Sequence, residues 1–176
     1  IELIHLIEQK KYLLLGYDCL YHKGVDIRSE PLYKNRVKYV ESTLKELQNG
    51  SIYNMKEFKS SKDYDIKEQE KHYSVEIENF YKYLNNLIDN TIDGGYIFHP
   101  KIFIYPTGAY QSEAFLYAYL IWNICTTLGL CPYFLDGIIF TGIDQKYTKD
   151  KKDHLYPIYK YKPPHTNSID VYAVSY

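Results

Sequence analysis

Two short segments near the end of the chain carry residue types that suit phosphate chemistry. Asp136 and Gly137 precede the apolar run Ile138-Ile139-Phe140, which predicts a buried strand. Further along, Lys160 and Lys162 flank a tyrosine, and alternate residues of a strand share one face. Two parallel ammonium groups can hold phosphate oxygens, while a carboxylate can approach a magnesium ion or a cationic nucleophile. The spacing therefore predicts a site for a nucleoside triphosphate and its metal ion.

Both segments also have a purely structural explanation. Asp-Gly is a common turn pair, so Asp136 with Gly137 also fits a simple turn. Lysines on both sides of Tyr161 equally fit a solvated edge strand with the tyrosine packed inward. The apolar run that follows Asp136 favours the chemical interpretation of that residue.

Composition sets limits on the possible functions. The chain has 176 residues and a formal net charge of −1, so no overall positive field predicts nucleic-acid binding, and any such contact must come from a local patch. Cys19, Cys125 and Cys131 show no CxxC spacing and are odd in number, which argues against a disulfide scaffold and for a reducing compartment. The six histidines are scattered without zinc-site spacing.

One stretch without charge, residues 114–135, has the length of a membrane span. Gly129 and Pro132 interrupt it, and Asn123 lies inside it. A buried helix over residues 112–127 fits better, with a serine as N-cap and a glutamate in the first turn. We therefore expect no membrane association.

The rest of the chain mixes helical and strand patterns without regular βαβ units. The patterns predict helices at 31–47, 75–88 and 112–127, strands at 11–21, 52–58, 96–105, 136–141, 159–162 and 168–174, and charged loops at 59–71 and 144–153. The sequence thus predicts an α+β fold with mainly antiparallel sheets and flanking helices.

Four segments resemble the covalent nucleotidyltransferases, which comprise mRNA capping guanylyltransferases and ATP-dependent ligases. Residues 12–36 resemble the strand-turn motif whose aromatic residue stacks on the base. Residues 96–106 resemble the next strand of the base pocket, and residues 136–140 resemble the DGLIF motif. Residues 159–171, YKYKPPHTNSIDV, resemble the capping form of the two-lysine motif, LKWKPPxxNSxDF. Ligases share the lysines but not usually this continuation, so the chain looks most like capping enzymes of large cytoplasmic DNA viruses.

The resemblance implies roles for the phosphate-site residues. Lys160 and Lys162 would be catalytic, neutralising the phosphates of GTP. Asp136 would also be catalytic, either by positioning Mg²⁺ or Mn²⁺ or by orienting the nucleophilic lysine.

It also implies roles in the base pocket. Tyr17 and Ile139 would cover the two faces of the guanine, and Lys101 would contact its carbonyl. Reading guanine requires a donor at O6, so a lysine suits that position chemically. Lys56 is a competing candidate for the same contact.

The family reaction passes GMP from GTP through a lysine–GMP intermediate to the 5′-diphosphate end of mRNA. The KxDG motif of the nucleophilic lysine and the DGE motif are absent from this sequence. The resemblance therefore implies the C-terminal part of a nucleotidyltransferase domain, residues 1–176, with an insertion at 59–94. Expected partners are GTP, the 5′ end of mRNA, an upstream nucleophile segment, a C-terminal oligonucleotide-binding domain, and triphosphatase and methyltransferase modules. The expected location is the cytoplasm, a virus factory or the virion.

Two other functions stay open at this point. An ATP-dependent polynucleotide ligase shares the chemistry and differs in the base. A non-catalytic interaction domain derived from the same fold would explain the absent nucleophile motif.

Overall fold

The computed structural model describes residues 1–50, 52–58, 66–108 and 110–163. These residues form seven short strands, three α-helices and one 3₁₀ turn, which confirms the predicted α+β class. The strands are β1 (Glu2–Leu6), β2 (Lys11–Gly16), β3 (Tyr21–His22), β4 (Val25–Asp26), β5 (Tyr96–Pro100), β6 (Ile138–Phe140) and β7 (Tyr159–Tyr161). The helices are α1 (Tyr33–Leu47), α2 (Ile66–Asn90) and α3 (Glu113–Thr126).

The largest sheet has three strands in the order β1-β2-β5. β1 runs antiparallel to β2, whereas β5 runs parallel to it, with Tyr12 opposite Tyr96 and Gly16 opposite Pro100. The β3–β4 and β6–β7 pairs are antiparallel, so the prediction of mainly antiparallel pairing is confirmed and β2–β5 is the exception.

Helices cover both faces of this sheet. Leu13 and Leu15 of β2 are fully buried in one core cluster with α2 and α3. Gly16 belongs to the opposite face, where a Cβ atom would lie 2.3 Å from a methyl group of Val40 in α1. The absence of a side chain at Gly16 therefore lets α1 pack directly against the backbone of β2.

Helix α2 is central to the core although all of it falls in the range predicted to be an insertion. Its buried apolar side chains are Tyr73, Ile77, Phe80, Tyr81, Leu84 and Ile88. The helix begins at Ile66, so residues 66–71, predicted to be a loop, are helical. The polar pattern there misled the prediction because Gln69, fully buried, is its one inward-facing residue. The insertion itself stays a prediction.

Residues 52–58, predicted to be a strand, have no regular structure, and neither do residues 17–20 and 101–105, which belong to the predicted strands 11–21 and 96–105. In the 52–58 segment, the backbone N–H of Tyr53 donates to Nε2 of His99 at 3.0 Å. The N–H of Lys56 donates to the Glu76 carboxylate at 2.8 Å. Side chains thus take hydrogen bonds that a neighbouring strand would otherwise supply. The last predicted strand, at 168–174, lies outside the described residues.

Helix α3 begins after Ser112, as predicted, and is 14 residues long. Ser112 occupies the N-cap position without a side-chain capping hydrogen bond. No helix in the described part of the chain combines the length and the apolar character that crossing a bilayer requires.

A buried carboxylate at the start of α3 fixes the segment that precedes it. Glu113 is 1% exposed and accepts hydrogen bonds from Gln69 at 2.6 Å, Tyr117 at 2.5 Å, the Thr107 hydroxyl at 2.8 Å and the Gly108 N–H at 2.8 Å. Burial alone raises the pKa of Glu113, but these hydrogen bonds outweigh burial and lower it to about 2. The carboxylate is therefore ionised and joins α2, α3 and the 107–108 backbone.

We predict that Glu113→Gln lowers the free energy of unfolding by about 1–3 kcal/mol at neutral pH. An amide presents an N–H₂ group where donors converge, so at least one buried donor loses its acceptor. Urea unfolding measures the difference. Glu46→Gln is the matched control, because Glu46 is an exposed glutamate of α1. A Glu113 variant as stable as this control would contradict the prediction.

The same substitution predicts a pH dependence. The pKa of Glu113 is depressed in the folded state, so its contribution is fully present above its ordinary value of 4.5 and is lost as the pH falls from there towards about 2. The stability difference between wild type and Glu113→Gln should thus be smaller at pH 3 than at pH 7. Equal differences at the two pH values would show that the carboxylate is not held ionised.

Candidate functional site

The register of β6 and β7 brings the predicted phosphate-site residues together. Ile139 lies opposite Lys160, and Ile138 lies opposite Tyr161. Gly137 immediately precedes β6, and a Cβ atom there would lie 2.2 Å from the Tyr161 carbonyl oxygen. Its φ of +147° is also one that residues with side chains rarely adopt, which explains why the strand begins at Ile138 and not at the predicted Asp136. A glycine is thus required at position 137 for the backbones of β6 and β7 to approach each other closely at this end.

Asp136 lies between the two lysines. Its carboxylate pairs with the Lys160 ammonium through one oxygen and with the Lys162 ammonium, at 2.7 Å, through the other. The predicted shared face of the lysines is therefore what the structure shows. Hydrogen bonds from Lys160 and then Lys162 lower the pKa of Asp136, so it is ionised at neutral pH. Asp136 is half-exposed and the two lysine side chains are 40% and 30% exposed, so solvent reaches all three groups.

An aromatic ring of α3 and an apolar side chain of β6 lie beside the lysine strand. The Tyr161 ring meets the Trp122 ring of α3 edge-to-face, with 6.1 Å between centroids. Ile139 is 54% exposed beside Lys160, so an apolar surface lies next to the ammonium group. This position is compatible with the expected contact of Ile139 with a base.

The predicted base-contacting residues also lie together, at the ends of β2 and β5. Tyr17 follows Gly16 and Lys101 follows Pro100, and the Lys101 N–H donates to the Gly16 carbonyl at 2.8 Å. Parallel pairing places the carboxyl ends of both strands at one edge, so the next residues are neighbours. The Lys101 ammonium lies 5.3 Å from the centroid of the Tyr17 ring.

Lys101 is already paired in this state. Its ammonium forms an ion pair with Glu2, and the Tyr17 ring beside it is 43% exposed. The ion pair with Glu2 therefore accompanies the position of the Lys101 ammonium beside the Tyr17 ring.

The competing candidate Lys56 lies on the irregular segment 52–58 and is exposed. It lines a cavity of about 300 Å³ that Lys101 also lines, together with Lys34 and Lys38 of α1. Proximity alone therefore does not separate Lys56 from Lys101. The contact with Tyr17 favours Lys101.

The first turns of α1 connect the two groups of site residues. Arg36 is 2% exposed, and its guanidinium bonds the Asp18 carboxylate at 2.8 and 3.3 Å, directly after Tyr17. The same guanidinium donates to the carbonyl oxygens of Glu30 at 2.9 Å and of Gln145 at 2.7 Å. Arg36 thus joins the end of β2 to the loop that follows β6.

Two further contacts strengthen this connection. The Tyr33 hydroxyl donates to the Tyr17 carbonyl, and the Tyr33 N–H donates to the Ile143 carbonyl at 2.8 Å. Burial raises the pKa of Tyr33, so the hydroxyl stays protonated and able to donate. Gln145, 3% exposed, accepts from the Tyr156 N–H at 3.2 Å, three residues before β7.

Sequence reasoning included Arg36 only as part of the resemblance and assigned it no role. A signal was present, because Arg36 stands four residues before Val40 and eight before Leu44, on the apolar face of α1. An arginine in line with a buried stripe predicts a buried ion pair. Its partner Asp18 could not be predicted from spacing.

The described residues contain no group of three or more His, Cys, Asp or Glu side chains that could hold a metal ion. Asp136 is the carboxylate that lies between Lys160 and Lys162. Magnesium is commonly held through one or two carboxylates together with substrate phosphates. Within the described residues, the donor set therefore fits a metal that arrives on a nucleotide and does not fit an all-protein cage.

We predict that Gly137→Ala separates β6 from β7. The methyl group would meet the Tyr161 carbonyl and would force an unfavourable φ, at a cost of about 1–3 kcal/mol. Trp122 is the single tryptophan of the chain and lies against Tyr161, so its fluorescence should change.

Gly129→Ala is the control for this change. Gly129 also has positive φ, at 62°, but open space around a Cβ, so it isolates the backbone cost from the steric clash. If both variants alter Trp122 fluorescence equally, the close approach at Gly137 is not what sets the strand pairing.

Comparison with known proteins gives one informative similarity. The chain is 30% identical, over 174 residues, to a probable mRNA-capping enzyme of Acanthamoeba polyphaga mimivirus. The aligned region covers 91% of this chain and 14% of that protein, so the chain spans a small part of its relative. No family model and no solved structure matches the chain. The similarity supports a relationship between this chain and viral mRNA-capping enzymes.

Proposed function

We propose that the chain is the part of an mRNA guanylyltransferase that binds the base and triphosphate of GTP. The observation that carries the proposal is the group formed by Asp136, Lys160 and Lys162, which the β6–β7 register and Gly137 hold in place. The similarity to a probable mRNA-capping enzyme supports the same conclusion.

In this function the two lysines bind the phosphate oxygens of GTP. A phosphate group would compete with Asp136 for both ammonium groups, since ammonium–phosphate pairs are strong charge-assisted hydrogen bonds. Once released, the Asp136 carboxylate would contact either Mg²⁺ or Mn²⁺ on the phosphates or the ammonium of the nucleophilic lysine.

Tyr17, Lys101 and Ile139 would hold the guanine. Tyr17 supplies an aromatic face, Lys101 a donor for the O6 carbonyl, and Ile139 apolar cover from the other strand pair. This assignment predicts a preference for GTP over ATP, because the amino group at the corresponding position of adenine repels a donor.

The reaction would proceed in two displacements at the α-phosphorus. A lysine amine forms a nitrogen–phosphorus bond, and the bond to the β-phosphate breaks to release pyrophosphate. The terminal oxygen of an RNA 5′-diphosphate then attacks the same phosphorus and releases the lysine. Other parts of the enzyme would supply the nucleophile, the oligonucleotide-binding domain and the triphosphatase and methyltransferase modules. The enzyme would work in the cytoplasm, in a virus factory or in the virion.

Covalent labelling with α-phosphate-labelled GTP, and in parallel with labelled ATP, tests the proposal. The chain is to be compared with a form extended upstream to the natural start of its gene. We expect a GMP adduct on the extended form. An AMP adduct would indicate a ligase instead, and the absence of both adducts would favour a non-catalytic domain.

We predict that Lys160→Ala or Lys162→Ala in the extended form lowers the yield of GMP adduct by about 10- to 100-fold, the effect of losing one hydrogen bond to a charged group. Lys82→Ala is the control, because Lys82 is an exposed lysine of α2 paired only with its helix neighbour Glu78 in the contacts observed. Adduct formation unchanged in the Lys160 and Lys162 variants would disprove the assigned role.

A further inference from the structure

The two halves of the proposed site come from different parts of the fold. Tyr17 and Lys101 follow the carboxyl ends of β2 and β5 in the three-stranded sheet, whereas Asp136, Lys160 and Lys162 lie on or beside the separate β6–β7 pair. A ligand that contacts both halves binds tightly only if their separation is fixed. Some part of the protein must therefore hold the two halves at a fixed separation.

The start of α1 provides this connection. Arg36 bonds Asp18, the residue after Tyr17, and also the Gln145 carbonyl, five residues after β6. Gln145 in turn bonds the Tyr156 backbone just before β7. Hydrogen bonds of 2.7–3.2 Å therefore run from the base half to the loop after β6 and to the backbone just before β7.

We propose that Arg36 is a positioning residue that sets the spacing between the base-binding and triphosphate-binding halves of the site. This inference rests on the proposed function. Arg36 itself touches no ligand, because it is 2% exposed and its guanidinium is occupied by Asp18 and two carbonyls. It acts through Tyr17 on one side and through the 143–145 loop on the other. The Tyr33 hydroxyl, which binds the Tyr17 carbonyl, contributes to the same connection.

The choice of arginine follows from the geometry. Its planar fork bonds one carboxylate through two nitrogens while a third nitrogen reaches carbonyls on the other side. A lysine has a single nitrogen on a flexible stem and cannot make all of these contacts at once. Arg36→Lys thus keeps the charge and removes the bridge.

Binding to the 176-residue chain tests the proposal, with Trp122 fluorescence as the readout and with GTP and tripolyphosphate as ligands. Trp122 contacts Tyr161, which stands between the two phosphate-binding lysines, so both ligands should change its emission. We expect Arg36→Lys to weaken GTP binding about tenfold and to change tripolyphosphate binding less than twofold. Lys45→Ala, an exposed site on α1, should change neither.

A double-mutant cycle separates positioning from general destabilisation. If Arg36 acts through Tyr17, then Tyr17→Ala combined with Arg36→Lys should bind GTP no more weakly than Tyr17→Ala alone. Tyr33→Phe removes one hydroxyl and keeps the ring, so it serves where Arg36→Lys fails to fold, and it should show the same pattern.

The outcomes are distinct. Unchanged GTP binding in Arg36→Lys and Tyr33→Phe would overturn the positioning role and leave the proposed function standing. Equal losses for GTP and tripolyphosphate, or additive effects in the cycle, would also overturn it, because they indicate a merely structural residue. A wild-type chain that responds to tripolyphosphate but binds GTP no more tightly would overturn the proposed base site and this inference together.

Discussion

The structure depends on the requirement that a charged group removed from water must have a complete set of hydrogen-bond partners. Three charged side chains are almost fully buried on the helices, namely Arg36 on α1, Glu76 on α2 and Glu113 on α3. Each is bonded to the backbone of a segment that has no regular structure. Every such charge therefore fixes an irregular segment at a defined position on a helix.

This requirement explains how a fold with few and short strands holds its shape. The 52–58 segment lacks a strand partner, yet Glu76 accepts from the Tyr53 hydroxyl at 3.0 Å and from the Lys56 N–H at 2.8 Å. His99 accepts the Tyr53 N–H through Nε2, so its Nδ1 carries the proton that bonds the Pro100 carbonyl at 2.8 Å. Burial lowers the pKa of His99, which keeps this neutral form at physiological pH. Helices thus supply the order that a larger sheet would give elsewhere.

The sequence was informative where the interactions are local. Apolar spacing predicted α1 and α3 within two residues at each end, and the two-residue period of a strand predicted that Lys160 and Lys162 point the same way. Prediction failed where the partner is distant. The strand prediction at 52–58 failed because nothing local indicates that Glu76 and His99 take the backbone hydrogen bonds.

In the candidate site, too, the local interactions could be predicted and the distant ones could not. The proximity of Asp136 to Lys160 and Lys162 could be predicted from residue types and strand spacing, and the two ion pairs confirm it. The phosphate chemistry assigned to these residues stays a prediction. The bridge from Asp18 through Arg36 to Gln145 joins residues more than a hundred positions apart, and no pattern in one sequence predicts which carbonyl a guanidinium will find.

The parallel pairing of β2 with β5 has a consequence for how the chain comes to fold. Tyr12 pairs with Tyr96, so β2 leaves the ribosome long before its neighbour exists. At roughly 5–20 residues per second, the free edge of β2 stays unpaired for on the order of ten seconds. The hairpin with β1 protects only the other edge, and Leu13 and Leu15 remain without the helices that cover them. During synthesis, this strand is therefore where a nascent chain would first pair wrongly or recruit a chaperone.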